Sequence, residues 1–137
     1  MSNYVATGET TLRVRFTECD SMQVVHHSQY IRYFEIGRTE IMRAKGLPYS
    51  VIEKEGFFII VLSVECSYLK PARYDDVLTL KAKLRKLTGV RLYFDYEILN
   101  EKNELLVTGT TCHAFADSSN FKPVKPPKDF IEIVCSS

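Results

Sequence analysis

The sequence contains no tryptophan, only six glycines and five prolines among 137 residues, and little excess charge of either sign. Eighteen basic and 17 acidic residues leave a net charge of +1, so no polybasic tract is available for a nucleic acid or a membrane surface. The longest strongly apolar run, residues 57–62, is far shorter than the ~20 residues that a membrane-spanning helix needs. We therefore expect neither a nucleic-acid partner nor membrane insertion.

Chemical motifs are also scarce. The cysteines are widely spaced, with no CxxC pair and no metal-ligand spacing; they are Cys19, Cys66, Cys112 and Cys135. The N-terminus has no basic segment followed by an apolar core, and together these features favour the reduced cytoplasm. There is no Gly-x-Ser-x-Gly elbow, no glycine-rich phosphate loop and no two-histidine metal motif at helical spacing. The sequence predicts no metal and no cofactor.

The periodicity predicts one strand followed by one long helix, in a single domain over residues 1–137. Residues 11–18 alternate, with Leu12, Val14 and Phe16 on one side. The pattern is helical from about residue 27 to residue 45, and Gly46 and Pro48 then favour a helix end. Ser28 opens an apolar stripe that consists of Tyr30, Ile31, Phe34, Gly37, Ile41 and Ala44.

Strand-like runs dominate the rest of the chain. A short helix or loop at 48–54 is followed by runs at 57–71, 77–87, 91–100 and 105–117, an extended segment at 120–127 and a turn around Ile131 and Val134. Because the connections are short, we expect neighbouring strands to pair as antiparallel hairpins. The predicted fold class is α+β, with a five-stranded antiparallel sheet wrapped around the long helix. An unpaired sheet edge favours a homodimer.

One carboxylate stands out because of its position. Asp20 lies a few residues ahead of the predicted helix, whose first N–H groups and dipole form a donor site for an anion or a polarised carbonyl oxygen. Asp20 could activate water as a general base or attack a carbonyl carbon itself, and the sequence leaves both routes open. The structural alternative is that Asp20 only caps the helix.

Three segments resemble the hotdog-fold acyl-CoA thioesterases, in the branch that includes 4-hydroxybenzoyl-CoA thioesterase and the Tol–Pal-associated thioesterase. They are DSMQVVHHSQY at 20–30, Tyr33-Phe34-Glu35 with Arg38-Thr39-Glu40, and YLKPARYDD at 68–76. This family usually has glycine where the chain has Gln23. The resemblance implies cleavage of an acyl-CoA to a free acid and coenzyme A, with Asp20 as the catalytic group and the backbone N–H of His27 polarising the thioester carbonyl. It also implies a homodimer or homotetramer.

Further residues are candidates for the substrate site. Val25 lies in the resembling segment, and Tyr30 could line an acyl pocket or simply pack in the core. The phosphates of coenzyme A need local cations, for which the candidates are Lys70, Arg73, Lys86 and Arg91. The imidazole of His27 could orient water or substrate.

Three other residues receive structural predictions. Glu35 is expected either to pair with Arg38 or to be solvated. His26 is expected at a surface or interface, and His113 as a satisfied structural histidine. Tyr74, Asp75 and Asp76 are predicted to form a turn.

Three alternative functions stay open. A non-catalytic acyl-CoA-binding regulatory domain would use the same fold, since one scaffold hosts many functions. A hotdog dehydratase is disfavoured, because it would need a histidine and an acidic partner in a different arrangement. A sheet that binds single-stranded RNA is disfavoured by the near-neutral charge.

Overall fold

The computed structural model describes residues 5–134. Cys135 therefore lies outside the described residues. In chain order the elements are β1 (Ala6–Arg13), α1 (Gln29–Ala44), α2 (Tyr49–Lys54), β2 (Phe57–Tyr68), β3 (Val77–Thr88), β4 (Arg91–Leu99), β5 (Leu105–Asp117) and α3 (Lys128–Val134). No helix within this part of the chain is long and apolar enough to cross a membrane.

The five strands form one antiparallel sheet in the order β1-β3-β4-β5-β2. The predicted α+β class is therefore confirmed, as are the β3–β4 and β4–β5 hairpins. The predicted hairpin between β2 and β3 is wrong, because β2 pairs with β5 at the opposite side of the sheet. The connection after β2 is held instead by the loop around Asp20, where Val24 bridges to Arg73 and the Val25 N–H donates to the Ala72 carbonyl over 2.9 Å.

The first strand lies earlier in the chain than the alternation predicted. It ends at Arg13, and Phe16–Glu18 forms a short 3₁₀ turn in which the Phe16 side chain is 75% exposed. The turn forms because the Glu18 carboxylate accepts the Arg15 N–H over 2.8 Å, which closes the backbone after the strand. Phe16 then packs edge-on against Tyr74 instead of entering the core.

The long helix α1 confirms the predicted helix and lies against the inner face of the sheet. Its buried face consists of Tyr30, Tyr33, Phe34, Gly37, Ile41 and Met42. Ile31 and Ala44 are exposed, so they do not belong to the apolar stripe as predicted. A Cβ on Gly37 would lie 3.3 Å from the Cβ of Ala82 on β3, so glycine permits the close approach of helix and sheet. Gly46 ends the segment with a φ of +80°.

The core lies between α1 and the sheet. Every second residue of β3 faces it, as Leu78, Leu80, Ala82 and Leu84 are almost fully buried. The predicted C-terminal turn is the helix α3, which buries Phe130 and Val134. The sheet thus covers the helix on one side and leaves the start of α1 open beside the end of β2.

Candidate active site

Asp20 lies at the start of a tight turn that the backbone closes on both sides. Its N–H donates to the Val24 carbonyl and its carbonyl accepts the Gln23 N–H, each over 2.9 Å. One carboxylate oxygen, Oδ1, accepts the Met22 N–H over 2.8 Å. Gln23 has a φ of +66°, the left-handed conformation in which the resembling family usually has glycine. The turn therefore orients a half-buried carboxylate whose other oxygen accepts no hydrogen bond within residues 5–134.

Cys19 precedes Asp20 but is unsuited to be a nucleophile. Burial raises the pKa of the Cys19 thiol, and the nearby carboxylates of Glu18, Asp20 and Asp76 raise it further. A cysteine is nucleophilic as the thiolate, which these conditions disfavour.

Glu18 holds the Asp20 loop in place through hydrogen bonds, a role that was not predicted from the sequence. It is a buried carboxylate that accepts hydrogen bonds from the Arg15 N–H and from the Tyr33 hydroxyl, the latter over 3.1 Å. Its own carbonyl accepts the His26 N–H over 2.9 Å. Burial and the neighbouring Glu18 charge raise the pKa of Tyr33. Glu18 therefore ties the Asp20 loop, α1 and the His26 backbone together.

His27 lies in the exposed turn that leads into α1. Its N–H meets no acceptor within the described part of the chain, while its carbonyl accepts the Tyr68 hydroxyl over 3.3 Å. Burial raises the pKa of Tyr68 to about 12, so this phenol stays protonated and can donate. The backbone of His27 therefore presents an unpaired N–H just ahead of the helix, and its role as a carbonyl donor stays a prediction.

His26 and Ser28 shape the same turn. His26 is half-buried, and its Nδ1 lies 2.8 Å from the Ser28 hydroxyl and accepts the Ser28 N–H over 3.2 Å. The rings of His26 and His27 contact each other at a tilt of 33°, with their centroids 4.1 Å apart. Ser28 thus uses its side chain on His26 and makes no hydrogen bond to the helix backbone, although it occupies the cap position.

A groove of about 310 Å³ brings most of these residues together. The predicted site residues Asp20, Val25, His27, Tyr30 and Lys70 line it. Residues that the sequence did not single out complete it; these are Met22, Val24, Tyr68, Leu69 and Pro71. Tyr30 is buried, and its hydroxyl oxygen accepts the Ala72 N–H over 3.2 Å. Tyr30 therefore serves both the core and the groove wall.

The predicted basic residues fall into two groups. Arg73 lies in an adjoining depression of about 340 Å³ that shares Lys70 and Pro71 with the groove. On β5, Arg91 pairs with Ala114, whereas Tyr68 at the groove pairs with Val107. Ala114 and Val107 are seven residues apart, which places Arg91 about 23 Å along the strand from the groove. Lys86 is at the same distant end, with its ammonium 4.6 Å from the ring centre of Tyr93. Lys86 and Arg91 are therefore not at the groove of their own chain.

The structure also tests the predictions for Glu35 and His113. Glu35 is exposed and forms no ion pair with Arg38 among the described residues, so the solvated alternative is confirmed; the pair one turn later is Glu40 with Arg43. His113 is fully buried, but only one of its ring nitrogens is hydrogen-bonded. Its description as a satisfied histidine is thus half correct. Across residues 5–134 no group of three or more His, Cys, Asp or Glu side chains could hold a metal ion.

Comparisons with known proteins agree with this architecture. Residues 14–134 match the family model described as the thioesterase-like superfamily. The acyl-CoA thioester hydrolase YbgC of Escherichia coli is 28% identical over 88% of this chain and 90% of its own length. The crystal structure of a hypothetical protein from Aquifex aeolicus is 36% identical and has a TM-score of 0.87, covering 93% of this chain and 98% of that one. The crystal structure of the DHNA-CoA thioesterase from Staphylococcus aureus is 31% identical, has a TM-score of 0.84 and covers 87% of this chain and 80% of that one.

Proposed function

The chain belongs to the thioesterase-like superfamily, and on this basis we propose that it hydrolyses an acyl-CoA thioester to a free carboxylic acid and coenzyme A. The observation that carries the proposal is the groove that Asp20 and His27 both line, with the N–H of His27 unpaired among the described residues. The names of relatives such as the acyl-CoA thioester hydrolase YbgC support the choice of substrate class.

The two groups have complementary roles in this reaction. The His27 N–H, at the positive end of α1, would stabilise the negative charge that develops on the thioester oxygen. Asp20 would either remove a proton from the attacking water or attack the carbonyl carbon and form an anhydride that water then hydrolyses. In the first route water adds to the acyl carbon and the C–S bond then breaks, whereas in the second the C–S bond breaks as the anhydride forms and water cleaves the anhydride afterwards. In both routes the thiolate of coenzyme A takes up a proton. No metal or cofactor is needed for either route.

The cations near the groove suit the phosphates of coenzyme A. Lys70 lines the groove, and Arg73 lies in the adjoining depression. The Lys70 ammonium is 2.7 Å from the Glu104 carboxylate. Because exposed ion pairs contribute little free energy, a phosphate could take the place of Glu104 on Lys70 at a small cost in stability. Arg73 presents a planar donor group that suits bidentate phosphate binding.

We propose that the site is completed in a homodimer, and that two dimers form a homotetramer. β2 is a sheet edge with exposed apolar side chains, among them Val61, Leu62 and Val64. If two copies pair their β2 strands antiparallel about a two-fold axis, Tyr68 of one copy lies near Phe57 of the other. Arg91 is joined to the start of β2 through Ala114 and Ile60. Arg91 and Lys86 of a second copy would then approach the groove.

The second candidate function is a non-catalytic acyl-CoA-binding domain in the cytoplasm, which would use the same groove. An assay of free-thiol release over short, medium, long and aromatic acyl-CoA substrates, with a metal chelator present, separates the two. The proposal predicts turnover of at least one substrate that the chelator leaves unchanged. Measurable binding without turnover across the panel would instead support the regulatory domain.

A further inference from the structure

A second cavity lies on another face of α1 from the Asp20 groove. It has a volume of about 500 Å³ and is lined by residues of α1, β2, β4 and β5 and of the short helices α2 and α3. Its wall is mainly apolar and includes Met42, Ile59, Leu92, Phe94 and Phe130. A cavity of this size and character is typical of small-molecule sites.

One side chain in this wall has a buried polar atom without a hydrogen-bond partner among the described residues. His113 is 1% exposed, and its Nε2 lies 2.8 Å from the Thr111 hydroxyl. Its Nδ1 is buried and has no hydrogen-bond partner within the described residues. Buried polar atoms are nearly always paired, so an unpaired one beside a cavity points to a ligand as the missing partner. Glu35 and Arg38 also line the cavity, but neither bonds to Nδ1.

The hydrogen bonds behind His113 indicate which nitrogen carries the proton. The positive charge of Arg38 acts on the Tyr96 hydroxyl, and because a guanidinium only donates, it favours the orientation in which the Tyr96 oxygen turns its lone pairs toward Arg38 and its hydrogen away. The Tyr96 hydrogen is then directed to the Thr111 oxygen, 2.6 Å away, and the Thr111 hydrogen to Nε2 of His113.

The charge state of the ring completes this assignment. Burial lowers the pKa of His113 to about 4, with the nearby Arg38 charge acting in the same direction, so the ring is neutral near pH 7. A neutral ring whose Nε2 accepts carries its one hydrogen on Nδ1. The unpaired atom is therefore a donor.

We propose that this cavity binds a largely apolar group that carries an oxygen acceptor, and that the Nδ1–H of His113 is the donor that recognises that oxygen. The residue thus determines specificity and takes no part in bond cleavage. If the protein is the acyl-CoA hydrolase proposed above, the occupant is the distal part of the acyl group, because the cavity begins at Ile31 and Arg32 in the first turn of α1. That last step rests on the proposed function, whereas the binding site does not.

The direct test uses phenol and benzene, which differ by one oxygen, on the full-length protein. Long-range ¹H–¹⁵N spectra of the histidine rings report the tautomer of His113 and its response to each probe. We expect the hydrogen on Nδ1 in the free protein and a saturable shift of this nitrogen with phenol that benzene does not reproduce. A hydrogen on Nε2, or no response of His113 to saturating phenol, would overturn the proposal.

Two variants separate recognition from structure. His113→Leu removes the donor, whereas His113→Asn keeps an amide close to the position of Nδ1. We expect the Kd for phenol to rise about five- to tenfold in the leucine variant, with benzene unaffected, and to recover in part in the asparagine variant. If the leucine variant does not fold, Thr111→Val provides the test, since loss of this hydroxyl frees Nε2 and should redistribute the tautomers. Unchanged phenol binding in every folded variant would refute the role of His113.

A kinetic comparison then identifies the occupant. Phenylacetyl-CoA and 4-hydroxyphenylacetyl-CoA differ by one oxygen, and we expect kcat/KM to favour the hydroxylated substrate by about tenfold in the wild type and by less in His113→Leu. Phenol binding without turnover of any acyl-CoA would retain the site and refute the hydrolase. Turnover of an acyl-CoA without phenol binding would support the hydrolase and refute the cavity site.

Discussion

The Tyr68 hydroxyl donates a hydrogen bond to the carbonyl oxygen of His27 over 3.3 Å. This contact ties the exposed end of β2 to the turn that opens α1, so the sheet edge and the free N–H of His27 are mechanically connected. It also places the protonated Tyr68 side chain in the wall of the Asp20 groove. The position of the proposed oxyanion donor therefore depends on a residue 41 positions away in the chain.

The N–H of His27 can be removed without breaking an internal hydrogen bond. His27→Pro eliminates the proposed donor, and proline is tolerated at a helix start. We expect a folded His27→Pro protein to lose about 10²–10³ in kcat, whereas His27→Ala keeps the N–H and loses little. Circular dichroism checks folding and thiol release measures the rate. Equal rates in the two folded variants would exclude the backbone role, and a severe defect in His27→Ala would assign it to the imidazole.

Replacement of Asp20 tests the other half of the site. Asp20→Asn and Asp20→Ala should each lower kcat by about 10²-fold or more, because neither side chain can act as base or nucleophile. The matched control is Asp75→Asn, which changes an exposed turn carboxylate whose one partner within residues 5–134 is Arg13, and it should leave kcat near the wild-type value. If Asp20 only ordered its loop, these substitutions would lower the melting temperature and leave kcat unchanged. Near-normal activity in both Asp20 variants would rule out its catalytic role.

The edge of β2 predicts the assembly. We expect light scattering to show a homodimer or homotetramer, and the double substitution Leu62→Lys and Val64→Lys to shift it toward monomer by placing charges on the pairing edge. Ile131→Lys is the control, since Ile131 is 46% exposed but lies in α3 and not in the sheet. If the groove needs a second copy, the monomeric variant also loses activity. A wild-type monomer that is active at assay concentration would contradict this arrangement.

The buried His113 predicts a pH dependence of stability. Its pKa is about 4 in the folded protein and 6.5 in the unfolded chain, so the unfolded state binds the proton first as the pH falls. The free energy of unfolding should therefore decrease between about pH 6.5 and pH 4, by about 3 kcal/mol in total from this group. Urea titrations across this range should show a smaller slope for His113→Leu than for the wild type. Parallel pH profiles for the two proteins would show that His113 is not buried in its neutral form.

Local patterns in the sequence were sufficient for the elements whose partners are close in the chain. The helical period predicted α1 to within two residues at its start, and the alternation of β3 and the short connection at Thr88 and Gly89 predicted the β3–β4 hairpin. The period failed at Phe16, because one hydrogen bond from Arg15 to Glu18 turns the backbone after Arg13. No periodicity reports such a side-chain contact.

The site was predictable only where it is continuous in the chain. The segment from Asp20 to Tyr30 could be identified because its residues are adjacent and resemble a known family. Tyr68 lies in a resembling segment, but the roles of Glu18 and Tyr68 depend on contacts with Tyr33 and His27, which are distant in sequence, so neither role could be predicted. Lys86 and Arg91 could not be placed without the strand order, since the charge of a side chain does not reveal at which end of a sheet it lies.

The strand order also has a consequence for how the polypeptide acquires its structure. Tyr68 pairs with Val107 and Phe57 with Asp117, so β2 is synthesised well before β5, the strand with which it pairs. In contrast, β3 and β4 are consecutive and can pair as soon as both are synthesised. An apolar strand that waits unpaired is a template for intermolecular association. We therefore expect inclusion bodies formed at high expression rates to be nucleated by β2, the strand that also completes the groove.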